Sequence, residues 1–307
     1  MIRIQKCFYH AIRDTYKTLE HIHTTGTVLY QYGLDIQQIF IEQNLSFKKI
    51  ESSIRRFGKT MMPLQVPNSI MNKHYNLQPP PLVLTFEFQN TYAAGLKSKK
   101  ELTASQIAAF EQFRPDDGDC DSVCDGDVAE EEKADPPTTC FHQLDRGGQV
   151  TWHGRGQLVA YVVLDLKSFY KLSAKCFVNN VLLKSIQNVL EKKYGIESYL
   201  SDANPGVWVK DNGKEEEKKI ASVGIKVSHG ITQYGIALNI SPNLKYLNTF
   251  EMCGLKNKKA TSIKEVLANR GSNSAVAPVP SVEEVAELYT SELGKLLGMN
   301  KIEKTIL

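Results

Sequence analysis

Residues His142 to Leu166, HQLDRGGQVTWHGRGQLVAYVVLDL, restrict the fold of this chain more than any other stretch. The second half runs apolar through Leu158, Val159, Tyr161, Val162, Val163 and Leu164, which predicts a strand buried in a sheet. The first half is the reverse. Gly147, Gly148, Gly154 and Gly156 fall within ten residues, next to Arg146, His153, Arg155 and Gln157. Glycine gives up side-chain packing and backbone order, so such a cluster marks a sharp turn or backbone held close to a ligand. A loop between strands is the plain expectation and a binding loop the sharper one.

The 307 residues are 42% hydrophobic and 23% charged, enough for one large globular domain or two small ones. No apolar run approaches the roughly 20 residues of a membrane helix. Six cysteines dispersed over this length do not make a disulfide framework, which predicts a reducing compartment. Cys120 and Cys124 are spaced C-x3-C among aspartates, with no second ligand pair, so no metal site is expected.

Charge is unevenly distributed. Pro115 to Asp135 holds ten acidic residues and one lysine, a local −9 that leaves +12 for the rest of a chain whose total is +3. A basic body suits an acidic partner. No basic stripe with interleaved aromatics appears, so neither nucleic acid nor membrane is expected as that partner. The segment 115–139 is acidic and almost without large apolar groups, which predicts a disordered surface insertion.

Met1 to Arg13 carries Arg3, Lys6 and Arg13 and no acid before Asp14, with an apolar helical face. This is the composition of a mitochondrial transit peptide, and equally of a folded basic helix. Residues 1–28 are read as an N-terminal extension and 29–307 as a single domain.

Along the chain, Ile36, Ile39, Phe40, Phe47, Ile50, Ile54 and Phe57 recur at helical intervals, interrupted by Asn44-Leu45-Ser46. A loop is expected from Met62 to Pro81, a strand from Leu82 to Phe88, a turn at Thr91–Gly95 and a short helix from Thr103 to Phe113. Helices are predicted over Ser173–Tyr194 and after two capping boxes, Ser262-x-x-Glu265 and Ser281-x-x-Glu284. Strands are predicted at Pro205–Lys210, Ile220–Val227 and Ile231–Ile240. Strands and helices interleave without a βαβ rhythm. The fold class is therefore α+β, with a mixed or antiparallel sheet.

Two side chains are candidates for chemistry. Cys253 precedes Gly254 in an irregular segment; most free cysteines are small buried hydrophobes, whereas an accessible one is a nucleophile. Lys219 enters the strand Ile220–Val227 from a charged tip; most such lysines are solvated, whereas one pointing inward is an acid/base group. Together they pair a thiolate with an ammonium that favours it and moves its proton.

The run RGGQVTWHGRGQLVAY resembles the signature of the lipoyl(octanoyl) transferases, RGG-x-x-T-x-H-G-P-G-Q-L. Pro205-Gly206-Val207-Trp208, KIASVG, YGIALNI and F-x-x-x-CG follow in the family's order, so the resemblance spans Gln143 to Gly254. It implies a catalytic domain like that of the biotin and lipoate protein ligases. It implies transfer of an octanoyl group from octanoyl-acyl carrier protein to one lysine of a lipoyl domain, in 2-oxoacid dehydrogenase subunits or the glycine cleavage H protein. Cys253 falls on the family's nucleophile and Lys219 on its acid/base. Arg146, Gly147, Gly148, Gln149, Val150, Thr151, Trp152 and His153 fall on segments lining the acyl and carrier site. So do Ser222, Val223, Gly224, Gly235, Ile236 and Ala237. His153 is then either a structural histidine bonding its own loop or a proton carrier. A thioester donor is already activated, so no cofactor is implied. The extended N-terminus resembles that of mitochondrial members, which implies the matrix. Arg155 stands where the family has proline, and the acidic insertion is not a family feature. The rival readings are an ATP-dependent lipoate ligase, which needs Lys219 but no nucleophilic cysteine, and a non-catalytic binder of lipoyl domains.

Overall fold

A computed structural model describes residues 17–60, 77–115, 139–201, 203–210, 216–251, 258–270 and 278–307. The insertion at 115–139 and the Cys120–Cys124 pair lie outside them, apart from the two ends of the insertion, as do residues 1–16.

The fold is α+β. Its centre is a nine-stranded mixed sheet built from β1 (Thr18–Val28), β2 (Leu82–Phe88), β6 (Gln157–Val163), β7 (Tyr199–Leu200), β8 (Val207–Lys210), β9 (Glu217–Ser228), β10 (Ile231–Asn239), β11 (Lys259–Ala260) and β12 (Lys301–Ile306). The spatial order is β12-β1-β2-β6-β10-β9-β8-β7, with β11 alongside β9. Pairing is antiparallel from β2 to β7 and parallel where β1 meets β2 and β12. A second, three-stranded sheet orders β4 (Cys140–Gln143), β3 (Thr91–Ala94) and β5 (Val150–His153).

One face of the large sheet buries Leu158, Ala160, Val162, Ile236 and Leu238 against two helices. These are the continuous helical stretch ending in Lys184–Tyr194 and the later helix Val282–Leu297. The opposite face buries Leu84, Phe86, Val159, Tyr161 and Ala237 under α1 (Tyr30–Thr60). Alternation along β6 decides which residue goes where: its neighbours face opposite cores. The helix Lys184–Tyr194 stops at Gly195, whose left-handed φ of +63° lets its N–H reach the carbonyls of Leu190 and Glu191.

Four sequence expectations change. Thr18–Val28, assigned to the extension, is a strand of the main sheet. Its inward positions include His21 and His23, so it lacks the apolar alternation that marks a strand. α1 runs through Asn44-Leu45-Ser46 without a break; Asn44 turns inward and donates to the carbonyl of Phe40 at 2.9 Å. The helix's buried stripe is Tyr30, Gly33, Gln37, Ile41, Asn44 and Phe47, while Ile39 and Ile50 face solvent. Thr91–Ala94 is a fully buried strand rather than a turn, because it is the central strand of the second sheet and pairs on both sides, with β4 and β5. Ser262 caps the helix Ile263–Ala268 by accepting from the Glu265 N–H, but Glu265 turns its carboxylate to Thr261 Oγ1 and Lys218. The box at Ser281 and Glu284 is reciprocal, as predicted. The exposed, charged strand β12 has no counterpart in the sequence reading.

Candidate active site

The two glycine-bearing loops flank β5, whose four residues alternate between two environments. Val150 and Trp152 point into a small core with Tyr92, Phe110, Tyr246 and Leu247, where Trp152 stacks on Tyr246 at 5.1 Å. Thr151 and His153 point the other way, into a cavity of about 250 Å³. Period two on one short strand therefore divides the expected residues: Thr151 and His153 line the cavity and Val150 and Trp152 support it.

The loop before β5 is held by backbone. Leu96 and Lys97 donate to the carbonyls of Arg146 and Gly148 at 2.9 and 3.2 Å, and Gly95 donates to that of Gln149 at 3.2 Å. Arg146 folds inward, 7% exposed, and donates to the carbonyls of Gly147 and Ala93 at 3.0 and 3.2 Å. Among the described residues no carboxylate lies within ion-pair distance of it. Its side chain lies over Gly224, where a Cβ would stand 3.1 Å from Arg146 Cδ. Glycine at 224 thus makes room on β9 for the arginine. Gly147 is exposed at the loop's outer edge and does not line the cavity.

The cavity floor is made by β6, β10 and β9 in register. Val159 pairs with Ala237, which pairs with Ser222; Tyr161 pairs with Gly235, which pairs with Gly224. Arg146, Gly148, Gln149, Thr151, His153, Lys219, Ser222, Val223, Gly224, Gly235, Ile236 and Ala237 all border this one space. Residues separated by up to 91 positions are brought together by the sheet register. Tyr30, Lys97, Val159, Tyr161, Asn204, Pro205 and Tyr234 also border it, and none of them was named from sequence as a site residue. Tyr161 was legible only as a strand residue, and Tyr30 is brought in by the docking of α1.

His153 donates through Nδ1 to Gln157 Oε1 at 2.8 Å and stacks on Tyr30 at 5.5 Å. Burial pushes its pKa down to about 3, so it is neutral. Gln157 passes the connection on, donating to Asn239 Oδ1 at 2.9 Å; Asn239 donates to the carbonyl of Thr261 at 2.9 Å. The Thr261 N–H donates to the carbonyl of Lys219 at 2.9 Å. One polar chain thus runs from His153 to the backbone of Lys219.

Lys219 reaches the cavity because β9 carries a bulge. Val207 pairs with Ala221 but Trp208 pairs with Lys219, so β9 has one extra residue. Ile220 and Ala221 both face the large core, and Lys219 emerges on the cavity side with Ser222 and Gly224. Its ammonium lies 5.4 Å from the centre of the Trp208 ring. Trp208 is held in turn by its Nε1–H donating to the Asn204 carbonyl at 2.9 Å. Neighbouring cations are neutralised elsewhere: Lys218 pairs with Glu265 at 3.3 Å and Lys258 with Glu217 at 2.8 Å. Lys219 has no carboxylate within ion-pair distance among the described residues.

Tyr234 has a φ of +60°, a left-handed conformation that is costly for an aromatic residue. Its N–H donates to Gln37 Oε1 of α1 at 2.5 Å and its hydroxyl to Asp145 Oδ1 at 2.8 Å. Cys253 lies outside the described residues. Among those that are described, no group of three or more histidines, cysteines or carboxylates could hold a metal ion. No described helix is long and apolar enough to cross a membrane.

Residues 127–293 match the model of the lipoyl protein ligase A/B catalytic domain. The chain belongs to this family. Within it, the chain is 37% identical to the mitochondrial octanoyltransferase of Saccharomyces cerevisiae over 311 residues, covering 96% of this chain and 86% of that one. It is 35% identical to the mitochondrial octanoyltransferase of Kluyveromyces lactis, covering 94% and 83%. Among solved structures, a putative lipoate protein ligase from T. acidophilum with bound lipoic acid aligns at a TM-score of 0.49 and 10% identity, over 75% of this chain and 77% of that one. In this lipoyl protein ligase A/B domain, the cavity lies between the glycine-rich loops and the bulged strand bearing Lys219.

Proposed function

We propose that this chain is an octanoyltransferase that moves an octanoyl group from acyl carrier protein to a lysine of a lipoyl domain, through a thioester on Cys253. The acceptors are lipoyl domains of 2-oxoacid dehydrogenase subunits and the glycine cleavage H protein, and the site of action is the mitochondrial matrix. The names of the yeast relatives support the reaction and the organelle. The observation that supports the mechanism best is the bulge that turns Lys219, unpaired by any described carboxylate, into the cavity lined by Arg146 and Gly224.

The described residues that follow the Cys253 segment in the chain lie beside that lysine. Lys258 and Lys219 border one small recess, and Ala260 pairs with Lys219 across β11 and β9. Ala260 and Asn248 are bonded in both directions.

In the first half-reaction, Cys253 loses its thiol proton to Lys219 and attacks the carrier thioester. The tetrahedral oxyanion collapses, expelling the carrier's thiolate, which recovers a proton from the Lys219 ammonium. In the second, the acceptor lysine amine attacks the Cys253 thioester, Lys219 takes its proton, and Cys253 departs as thiolate. A thioester is exchanged for a thioester and then for an amide, so no nucleotide is consumed. Backbone N–H groups of the glycine loops are suited to stabilise the oxyanions.

Mixing the purified chain with octanoyl carrier protein tests this. Intact-mass spectrometry is expected to show one added octanoyl group, localised by peptide mapping to Cys253. Full octanoyl transfer by a Cys253→Ser variant overturns the mechanism and favours an ATP-dependent ligase. Absence of any acyl adduct or transfer favours a non-catalytic binder.

A further inference from the structure

We propose that Tyr161, backed by Tyr30 and Tyr234, is the wall that ends the acyl cavity and sets its chain-length preference. This rests on the acyl-transfer reading above and deepens it.

The floor strands place three rows of residues on the cavity face. Gln157 and Asn239 form the row level with Lys219; they border the small recess beside the cavity, while Lys219 borders both spaces. Val159, Ala237 and Ser222 form the middle row, and Tyr161, Gly235 and Gly224 the last. The middle row is small or short. The last row is filled: Tyr161 projects from β6, and Arg146 lies over Gly224. The ring of Tyr234 meets Tyr161 edge-on at 5.7 Å, and its hydroxyl is fastened to Asp145. Asp145 also pairs with Lys226, and Tyr30, Tyr161 and Tyr234 are all buried. Tyr30 lies on the same side, between Phe88 at 4.8 Å and His153 at 5.5 Å. At the other end, Ala203 and Pro205 beside Lys219 are exposed. The cavity thus opens at the lysine and closes at the tyrosines.

The dimensions agree with a medium chain. Alternate residues on a strand are about 6.7 Å apart, so the first row lies about 13 Å from the last. Contact with the tyrosine ring takes about 3.5–4 Å of that, leaving about 9 Å. Tetrahedral carbon chains with bonds of about 1.5 Å advance about 1.25 Å per bond, so eight carbons span about 9 Å.

The test compares hexanoyl, octanoyl, decanoyl, dodecanoyl and tetradecanoyl thioesters of acyl carrier protein as donors for the full chain. The wild type is expected to prefer octanoyl. Tyr161→Leu is expected to raise the dodecanoyl-to-octanoyl ratio of kcat/KM at least about tenfold, and Ala237→Val, which narrows the middle row, to move the preference towards hexanoyl. Where Tyr161→Leu does not fold, as judged by thermal melting, Tyr30→Leu and Ala237→Val decide the matter in the same assay. Folded variants that keep the wild-type profile overturn the wall while leaving acyl transfer intact. A wild type that loads no acyl chain of any length overturns the transfer reading itself.

Discussion

Trp208 and Lys219 are register partners across β8 and β9, and the lysine's ammonium lies 5.4 Å from the tryptophan ring. In an unbroken ladder Trp208 would face Ile220. The extra residue in β9 sends Ile220 into the core and Lys219 to the cavity. The proposed acid/base therefore rests on an aromatic face, with no described carboxylate within ion-pair distance.

Removing the amine while keeping the stem isolates that role. Lys219→Met is expected to lower kcat/KM for octanoyl transfer by about 10²–10⁴, the usual range for a general acid/base. Its melting temperature is expected to stay within a few degrees of wild type, because the aliphatic stem still packs on Trp208. Wild-type turnover by a folded Lys219→Met chain rules out proton transfer by this residue.

Gly206 leaves space for the same side chain. Its φ is +142°, and a Cβ there would lie 2.4 Å from Lys219 Cε and 2.6 Å from the Ala221 carbonyl. Gly206→Ala is expected to cost about 1–3 kcal/mol of stability through backbone strain and to reduce transfer by displacing Lys219. Denaturant titration alongside steady-state kinetics checks both. An alanine variant equal to wild type in stability and rate contradicts the close approach.

Gln157 joins His153 to Asn239 across the cavity floor. Gln157→Leu strands the buried His153 Nδ1–H and the Asn239 side-chain oxygen. Each group left unpaired costs about 1–3 kcal/mol, so the two together predict a drop of about 2–6 kcal/mol, read from urea midpoints. Gln157→Glu, which retains an acceptor for His153, is expected to raise the histidine's pKa, observable by NMR titration of the imidazole protons.

Acid sensitivity should come from buried imidazoles. His21 and His23 share the Thr85 hydroxyl at 2.8 and 2.9 Å, surrounded by Lys304, Glu283 and Glu287. Burial lowers both, His21 to about 4, and lowers His153 to about 3. The folded state keeps these rings neutral, whereas the unfolded chain protonates them near pH 6.5. Their contribution is therefore complete above about 6.5 and is lost as pH falls toward 4, at up to roughly 1.4 kcal/mol per unit for each ring. Urea midpoints measured from about pH 7.5 to 5 are expected to fall, and His21→Gln to flatten the decline. A pH-independent midpoint contradicts neutral burial.

The glycine-rich loops, the buried strand after them, the hairpin of β9 and β10 and the terminal helix were all legible in the sequence. Each is a local signal: apolar alternation, a capping serine, or a turn at His229-Gly230, where both φ values are positive. The family resemblance pointed to Lys219 and to segments most of whose residues border the cavity. What depended on tertiary structure was direction. Trp152 and His153 are neighbours in the chain but face a core and a cavity, because a strand alternates and only its partners decide which side is which. Tyr30 and Tyr234 enter the site through the docking of α1 and a left-handed backbone held by Gln37. β1 and β12 carry too many polar residues to announce themselves, and they are strands because an existing sheet edge offers its hydrogen bonds. Sequence determined which chemistry this protein carries; long-range packing alone could decide which of its side chains share a space.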